Sequence, residues 1–459
     1  MRMRMGSPLG WIGFSVALCW SVLAASAPGQ AQEIRGMWVS RFEWPNADPA
    51  TCQTTINRIM SELKGANFNA VFYQIRGQAD VLYPSPYEVW SPLIGGVDPG
   101  WDPLEFIITE AHARGMELHA WFNTFLVKNG AKPPITNPLH VILAHPEWLR
   151  KVEGEWWFDP GFPEVRSYTV EVAMDIVRRY EVDGVHFDFI RYPAKPFPDE
   201  TSFRRFGANR FRDDWRRENI TAFVRMFHAA ALSVKPMLKI SAAPIGLYAN
   251  IGKGKGLQGF SELYQDSRLW LREGIMDFLV PQDYWSLGDR QRNPDFALVG
   301  RDWVTSASGR QIVLGVGAYK PEVLAQISEL IDSSRAIGAS GNAYFRFESI
   351  GGVLGKLDPY RHPANIPPME WKDGIPPNPP QAVRVSGVEG GVVRVQWEPP
   401  LAASDGDGAE AYNIYRSSAR KVDIEDPANL IAIVRGTRTE CLDTLDRSGV
   451  PRYYYAVAS

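Results

Sequence analysis

Hydrophobic and polar residues alternate along eight short stretches between residues 33 and 348, and most of these stretches are separated by runs with helical spacing. The fourth stretch, residues 182–193, shows the pattern most clearly. In it Val185, Phe187 and Phe189 alternate with His186 and Asp188. A period of two residues predicts a strand, and this one would carry an imidazole and a carboxylate on the same face.

The same alternation predicts the other seven strands at residues 34–41, 70–76, 117–123, 239–244, 277–285, 312–319 and 341–348. Apolar residues recur at helical spacing in the intervening segments, at 56–63, 103–114, 165–180, 203–234, 257–272 and 322–337. Strands that alternate with helices over about three hundred residues indicate a (β/α)8 barrel of the TIM type, here spanning residues 33–358. A doubly wound sheet fits less well, because no glycine-rich phosphate turn follows the first strand.

The segment after the barrel is rich in proline over residues 359–380, which predicts a stiff linker. Five short alternating strands follow within residues 381–459, at 383–385, 392–397, 411–416, 430–434 and 453–458. They predict a small antiparallel sandwich. With Trp397 on its second strand and tyrosines on its third, this part resembles a fibronectin type III module. Such a module usually has one more strand, so either that strand is missing or the edge of the sheet is left open.

Residues 1–32 have the order of a secretory signal peptide: two arginines, an apolar run over 11–25, then small residues. The apolar run is too short to span a bilayer comfortably, so we expect a secreted or periplasmic protein with no membrane span once the signal is removed. Cys19 is preceded by Leu18 rather than by a small residue, which disfavours a lipid anchor. Cys52 and Cys441 are nearly four hundred positions apart, so neither a disulfide nor a metal site is expected from them.

The formal net charge of the chain is −3, with 22% charged residues. Nucleic-acid and membrane-surface partners generally require a basic excess, so neither is expected. Aromatic residues make up 12% of the chain and include 16 Trp. Aromatic side chains cover sugar rings well, although a large aromatic core would give the same composition.

The carboxyl ends of the predicted strands carry the residues that a barrel would bring together at one mouth. We predict catalytic carboxylates at Asp188, Asp283 and Glu348. The predicted substrate-binding residues are Gln74, Arg76, Asp80, His119, Trp121, Asn123, His186, Arg191, Tyr192, Gln282, Tyr284, Trp285, Tyr344 and Arg346. Arg41, Glu43, Ser241 and Tyr319 also lie at strand ends, without an assigned role.

Carboxylates, aromatic rings and amide or imidazole donors in one place are typical of a glycan site. Asp188 ranks first, as nucleophile or base, because His186, Arg191 and Tyr192 could position it. Asp283 ranks second, as the acid, because flanking aromatic residues would raise its pKa. Each carboxylate could instead be a salt-bridge partner or a helix cap.

Two groups of predicted binding residues have a structural alternative. His119, Trp121 and Asn123 share one face of the third strand, where they could line a sugar subsite or fill the barrel interior. Arg76 and Asp80 could clamp a substrate or pair with each other.

The motifs in this region resemble the bacterial family-10-like glycosyl hydrolase domain, in order from about residue 33 to 348. They lie at 33–39, 68–76, 80, 83–85, 102–104, 111–115, 119–123, 159–166, 182–193, 281–285 and 344–346. That family includes the envelope enzyme that cuts peptidoglycan glycans stripped of their peptides. The resemblance therefore implies a barrel hydrolase acting on an envelope or extracellular polysaccharide. We expect no cofactor.

Within the family pattern the fourth-strand Asp corresponds to Asp188, and the sixth-strand motif to residues 281–285. Two positions depart from it: Phe189 stands where a second Asp is common, and Asp283 stands where an aliphatic residue is common. A likeness to α-galactosidase-like barrels would also make the fourth-strand residue the nucleophile and the sixth-strand residue the acid, although this is only an analogy between folds.

Two other functions compete with hydrolysis. One is a catalytically silent protein that holds polysaccharide at the barrel mouth and on the sandwich. The other is a metal-dependent deacetylase using His119 and His186, although a hydrolytic zinc site usually clusters two or three histidines with a further ligand. A serine esterase is disfavoured, because no Gly-x-Ser-x-Gly motif occurs in the chain.

Overall fold

The computed structural model describes residues 32–133, 135–136, 138–194, 196–207, 209–252, 254–288, 294–388, 391–445 and 452–459. The predicted signal peptide, apart from Gln32, lies outside these residues. Among the described residues, none of the helices combines the length and apolar composition needed to cross a bilayer. The described chain forms two compact units, one of residues 32–361 with 366–372 and the other of residues 362–365 with 373–459.

The first unit is a barrel of parallel strands. Its strands are β1 (Ile34–Val39), β2 (Ala70–Arg76), β3 (Glu117–Asn123), β4 (Gly184–Asp188), β5 (Lys239–Ala242), β6 (Phe278–Leu279), β7 (Gln311–Ile312 and Leu314–Val316) and β8 (Gly341–Phe345). Each strand pairs with its neighbours in chain order, and β8 pairs with β1. The two segments of β7 pair with β6 and with β8, so this strand brings the two ends of the sheet together.

Helices surround the barrel and alternate with its strands. They are α1 (Pro49–Gly65), α2 (Pro103–Ala113), α3 (Pro163–Arg179), α4 (Arg212–Val234), α5 (Ser267–Arg272), α6 (Phe296–Thr305) and α7 (Ile327–Ala336). Short helices add Val141–Ala144, Glu200–Phe206, Gly259–Glu262, Pro321–Leu324 and Phe347–Ile350. Thus the three helices predicted at 203–234, 257–272 and 322–337 are each divided into a short and a longer piece.

Aspartate caps help to set where these helices begin. The side chain of Asp48 accepts a hydrogen bond from the amide of Thr51 at the start of α1, and Asp102 caps α2 in the same way through Leu104. A proline follows each cap, at the first helical position. Both features satisfy or remove amide donors that have no partner within the helix.

The alternation along each strand separates two hydrophobic clusters. Inward-facing residues such as Trp38, Phe72 and Phe278 fill the barrel, while outward-facing residues such as Val71 and Phe187 pack against the helices. The interior is therefore a solid core, and chemistry is confined to its ends.

Additional strands lie in the loops after β2 and β3. The β2 loop contains Asp80–Val81 and Val89–Trp90. The β3 loop contains a three-stranded antiparallel sheet of Leu126–Asn129, Leu149–Val152 and Glu155–Phe158. Both loops follow the carboxyl ends of their strands, where they can build up the walls of a site.

Part of the proline-rich segment covers the amino-terminal end of the barrel. Met369 joins the interior cluster, and the indole N–H of Trp371 donates to the Asp277 carboxylate at 2.8 Å. The ammonium of Lys372 lies 3.1 Å from the same carboxylate. Within the segment predicted as a linker, residues 366–372 thus pack as part of the barrel unit.

The second unit contains two three-stranded antiparallel sheets. Their strands are β9 (Gln381–Val388), β10 (Val392–Glu398), β11 (Ala411–Ser417), β12 (Leu430–Arg435), β13 (Glu440–Thr444) and β14 (Tyr454–Ala458). One sheet has the order β9-β10-β13 and the other β12-β11-β14. Trp397 and Tyr412, one from each sheet, meet in a shared hydrophobic cluster.

Candidate active site

Asp188 is the last residue of β4 and lies half-buried at the carboxyl end of the barrel. The next residue, Phe189, has a φ of 47°, and its amide donates to the Asp188 carboxylate at 2.7 Å. This left-handed conformation is costly for a residue with a side chain and is concentrated at functional sites. Burial raises the pKa of Asp188 to about 6, against the opposing effects of the Phe189 amide, Arg191 and Trp121.

Polar groups from three strands surround this carboxyl. The amide nitrogen of Gln282 lies 3.4 Å from an oxygen of Asp188 and 3.2 Å from the carbonyl of Ala243, which orients it. The guanidinium of Arg191 is 4.9 Å from the ring of Phe189, and burial lowers the pKa of this arginine. Because Gln282 and Arg191 are only partly buried, they can donate hydrogen bonds to a ligand beside Asp188.

Aromatic rings form the floor and one wall of the mouth. The ring of Phe345, at the end of β8, lies 6.3 Å from Trp121, 5.8 Å from Tyr284 and 6.0 Å from Tyr319. Tyr319 is 51% exposed, so its ring is open to a ligand. Trp285 is half-buried, and its ring packs directly against Gly246. A Cβ atom added to Gly246 would come within 2.5 Å of that ring.

A charged cluster lies where β8 meets β1. Arg346 donates to the hydroxyl of Ser40 at 2.9 Å and to the carboxylate of Glu348, also at 2.9 Å. Glu43 accepts from the amides of Glu348 and Ser40, which joins the two loops. Burial raises the pKa of Glu43, whereas Glu348 is exposed. Because β8 is four strands from β4, this cluster lies across the mouth from Asp188.

Asp283 does not share this opening. It is fully buried, and neither carboxylate oxygen has a hydrogen-bond partner among the described residues. Its pKa is raised well above the usual value, first by burial and then by Asp295, whose carboxylate caps α6. Gln282 and Tyr284 reach the mouth, whereas the residue between them faces away from it. A carboxyl that solvent does not reach cannot protonate a glycosidic oxygen, so the predicted acid role of Asp283 is corrected.

Four predicted binding residues near β2 and β3 are engaged in structural contacts. Arg76 is fully buried and forms a two-point ion pair with Glu88, at 2.6 and 2.7 Å. Asp80 pairs instead with Arg41, at 3.3 Å. Arg76 and Asp80 therefore neither form the predicted clamp nor pair with each other. Gln74 accepts from the Arg41 amide, and Asn123 accepts from Trp121 and donates to Gly77.

His119 and His186 belong to the barrel interior. The His186 ring is fully buried, with one nitrogen 3.0 Å from the Trp38 indole nitrogen and the other 2.9 Å from the Ser241 hydroxyl. His119 lies further from the mouth, 3.1 Å from the Glu117 carboxylate. Two buried rings held in this way leave no open coordination position at the mouth, which corrects their assignment to substrate binding and disfavours the deacetylase.

Tyr192 and Tyr344 also lie outside the mouth. The Tyr344 side chain points away from the barrel interior, and its hydroxyl lies 2.8 Å from that of Tyr360. Tyr192 is buried beside Phe197 and accepts a hydrogen bond from Asn219. Both predicted binding roles are thereby corrected, because neither ring can meet a ligand at the mouth.

Two residues of the mouth have no role in the sequence prediction. Phe345 could have been found from its alternation with Ala343, which places it on the inner face of β8. Phe42 directly follows the polar end of β1 and is 64% exposed, but an apolar residue in a loop has no distinctive sequence signal.

Two known proteins are similar to this chain in sequence. The glycosyl hydrolase DigH of Escherichia coli (strain K12) is 30% identical over 64% of this chain and 75% of its own length. The glycosyl hydrolase YngK of Bacillus subtilis (strain 168) is 28% identical over 98% of this chain and 95% of its own.

A solved structure shares the barrel. The PgaB (BpsB) glycoside hydrolase domain from Bordetella bronchiseptica superimposes with a TM-score of 0.53 at 12% identity, over 73% of this chain and 100% of that domain. The predicted barrel fold is thus confirmed. Residues 33–328 match the sequence profile of the glycosyl hydrolase-like 10 family, and this chain therefore belongs to that family.

Proposed function

We propose that this protein is a glycoside hydrolase that cleaves glycosidic bonds in a bacterial envelope or extracellular polysaccharide. The observation that carries the proposal is the half-buried carboxyl of Asp188, which has a pKa of about 6 and lies at the mouth beside aromatic rings. A raised pKa near the working pH is what general acid and base catalysis requires. The family membership of the chain supports the same class of reaction.

In this proposal Asp188 transfers the proton. Protonated Asp188 donates it to the glycosidic oxygen as the bond to the leaving sugar breaks, and the resulting carboxylate can accept a proton from water later. The raised pKa suits a proton donor better than the role of nucleophile or base that the sequence predicts for Asp188.

Glu348 is the proposed second carboxyl. It is exposed, lies across the mouth from Asp188 and is paired with Arg346 at 2.9 Å. As a carboxylate it would either attack the anomeric carbon or activate a water molecule that does so. Carboxyl groups about 5 Å apart favour the first route and retention, and those about 6.5–9.5 Å apart favour the second and inversion.

The remaining mouth residues would hold the sugar. Phe345, Tyr284 and Tyr319 offer ring faces to the C–H groups of a pyranose. Gln282 and Arg191 offer donors to its hydroxyl groups on the Asp188 side. A mouth of this kind needs no cofactor, because both chemical steps use carboxyl groups of the chain.

The proposed substrate is denuded peptidoglycan, and the proposed location is the periplasm or the cell exterior. The signal-like order of residues 1–32 and the resemblance to the envelope enzyme family support both. We also propose that the two sheets of residues 381–459 form a fibronectin type III-like module, supported by Trp397 packing against Tyr412 between them. Such a module would help to hold an insoluble polymer.

The test compares the chain with its Asp188→Asn and Asp332→Asn variants on denuded peptidoglycan and on other bacterial glycans. Mass spectrometry identifies the released products. We expect Asp188→Asn to lower turnover at least about a hundredfold without loss of folding, while Asp332, which is exposed on α7, serves as the matched control. Near-normal turnover by Asp188→Asn would refute the assignment, and tight binding without release would favour the non-catalytic alternative.

The second carboxyl is tested with Glu348→Ala and with Glu329→Ala as the exposed control on α7. Glu348→Ala is expected to lower turnover at least about a hundredfold. Added azide should restore it and yield a glycosyl azide, since a small anion can occupy the space of the lost carboxylate. The configuration of the sugar that the unsubstituted chain releases identifies the route, since attack by Glu348 gives retention and attack by an activated water gives inversion. Unchanged turnover by Glu348→Ala would exclude the residue from the reaction.

A further inference from the structure

Arg191 is held at the mouth by two aromatic rings. Its guanidinium lies 4.9 Å from the ring of Phe189 and 5.4 Å from the ring of Trp157, which belongs to the antiparallel sheet of the β3 loop. Trp157 is 1% exposed, and its ring packs against Phe189 at 5.9 Å, so the two rings are themselves fixed. These contacts set the position of the cation close to Asp188, which ends the strand that Arg191 follows.

Arg191 also differs from other arginines near the mouth, because it has no ion pair. Three arginines at the carboxyl ends of barrel strands each pair with a carboxylate, as Arg41–Asp80, Arg76–Glu88 and Arg346–Glu348. Arg191 forms no such pair with any residue that the structure describes, and its one hydrogen bond to them, 3.4 Å long, goes to the carbonyl of Tyr192. Most of its N–H donors are therefore available to a ligand.

The carboxyl groups nearby do not compensate this charge. Burial lowers the pKa of Arg191, and the effects of Asp188 and Glu155 offset that lowering only in part. The Glu155 carboxylate accepts from the indole N–H of Trp157 at 3.0 Å. In the proposed reaction Asp188 enters as the protonated acid, so its negative charge is absent when substrate binds. An arginine stays protonated at the working pH, and a partly buried cation without a partner favours an anion in the ligand.

The proposed substrate carries an anion that a guanidinium recognises well. Every second sugar of a peptidoglycan strand bears a lactyl ether, and its carboxyl is free and ionised once the peptide has been removed. In a strand that keeps its peptides, the same carboxyl is an uncharged amide. A guanidinium binds a carboxylate through two parallel charge-assisted hydrogen bonds, and a neutral amide cannot replace them.

We propose that Arg191 binds the carboxylate of an acidic sugar in the mouth and is a specificity-determining residue, which selects stripped glycan strands over strands that still carry peptides. This inference rests on the proposed function, because it names the group of the substrate that the same site recognises. A sugar hydroxyl would use fewer of the donors and would leave the charge of Arg191 uncompensated.

The test measures binding to the full chain with Asp188→Asn, which prevents cleavage and imitates the uncharged, protonated carboxyl. The ligands for isothermal titration are a denuded peptidoglycan tetrasaccharide and the same tetrasaccharide with its carboxyls converted to carboxamides, which have nearly the same shape. We expect the acid to bind at least about tenfold more tightly than the amide, as for a hydrogen bond between charged groups. Arg191→Gln should remove this preference while changing the affinity for the amide less than about threefold.

Arg301→Gln is the matched control, since Arg301 is exposed on α6. If Arg191→Gln lowers the melting temperature, Arg191→Lys decides the result, because it keeps the charge but loses the two parallel donors and should retain only part of the preference. A purely structural role would weaken both tetrasaccharides equally. Tetragalacturonic acid tests the source of the carboxylate, and tighter binding of it through Arg191 would retain this site but assign it to uronic acids.

The proposal is overturned if the acid and the amide bind equally well, if neither binds, or if Arg191→Gln keeps the preference. Product release from both tetrasaccharides by the unsubstituted chain is measured separately. Hydrolysis without a preference for the acid would retain the proposed function and reject this role of Arg191. Preference for the acid through Arg191 without hydrolysis would do the reverse.

Discussion

The side-chain amide of Gln282 lies 3.4 Å from the carboxylate of Asp188, so the loop after β6 contacts the end of β4 at the barrel mouth. The same amide also donates to the carbonyl of Ala243, the residue that follows β5, at 3.2 Å. Three consecutive strands of the barrel thus position one polar group against the carboxyl that has a raised pKa.

The pH dependence of turnover should report Asp188. As the proton donor it must be protonated, so activity is expected to fall as the pH rises through about 6. Measuring kcat/KM from pH 4 to 8 checks this for the free enzyme. A profile with no change between pH 5 and 7 would contradict the role, and activity that falls on the acid side of pH 6 would make Asp188 a base instead.

Gln282→Leu should shift the fall in activity to higher pH. The amide donates to the ionised carboxylate and favours it, so its loss should raise the pKa of Asp188. We also expect turnover to fall by about tenfold, because a donor beside the sugar is lost. Gln381→Leu, on the exposed face of β9, is the control. A parallel loss of activity at every pH would indicate a purely structural role.

Asp283→Asn should preserve at least about a third of the turnover, because the residue does not reach the mouth. Its folded-state pKa is raised, so the folded protein holds this proton more tightly than the unfolded chain does. Stability from this group is therefore present below the unfolded pKa of roughly 4 and is lost as the pH rises towards the folded value.

The Asp283→Asn side chain does not ionise, so the variant does not lose this stability as the pH rises. At pH 7.5 its melting temperature should therefore equal or exceed that of the unsubstituted chain. The difference between the two should shrink at pH 4. An inactive, fully folded Asp283→Asn protein would return Asp283 to the catalytic set.

Arg76→Met should destabilise the barrel rather than weaken substrate binding alone. The substitution leaves the Glu88 carboxylate buried without its partner, which typically costs about 3–5 kcal/mol. Chemical denaturation measures the free energy of unfolding. Arg58→Met is the matched control, because its pair with Glu62 on α1 is solvent-exposed and contributes at most about 1 kcal/mol. If the two variants were equally stable and only Arg76→Met had a raised KM, Arg76 would bind substrate, as the sequence-based clamp predicts.

The positions of several mouth residues could be predicted from the sequence, whereas their roles remain predictions. Asp188, Gln282 and Tyr284 were placed at strand ends by a period of two residues, and parallel strands in a barrel direct their carboxyl ends to one side. The same reasoning failed for Arg76, because its pairing with Glu88 depends on how the β2 loop folds back. It failed for Tyr344 because the register of β8 decides which face of the strand that residue occupies.

Hydrophobic periodicity along the chain was sufficient to specify a barrel of alternating strands and helices, because burial of one face is a local property of each segment. It also brought forward Asp188 as the leading carboxyl. Which polar groups meet it, and that Asp283 is sealed from solvent, were decided only by the tertiary structure. Those outcomes depend on loop paths and on desolvation, and both arise from residues far apart in the chain.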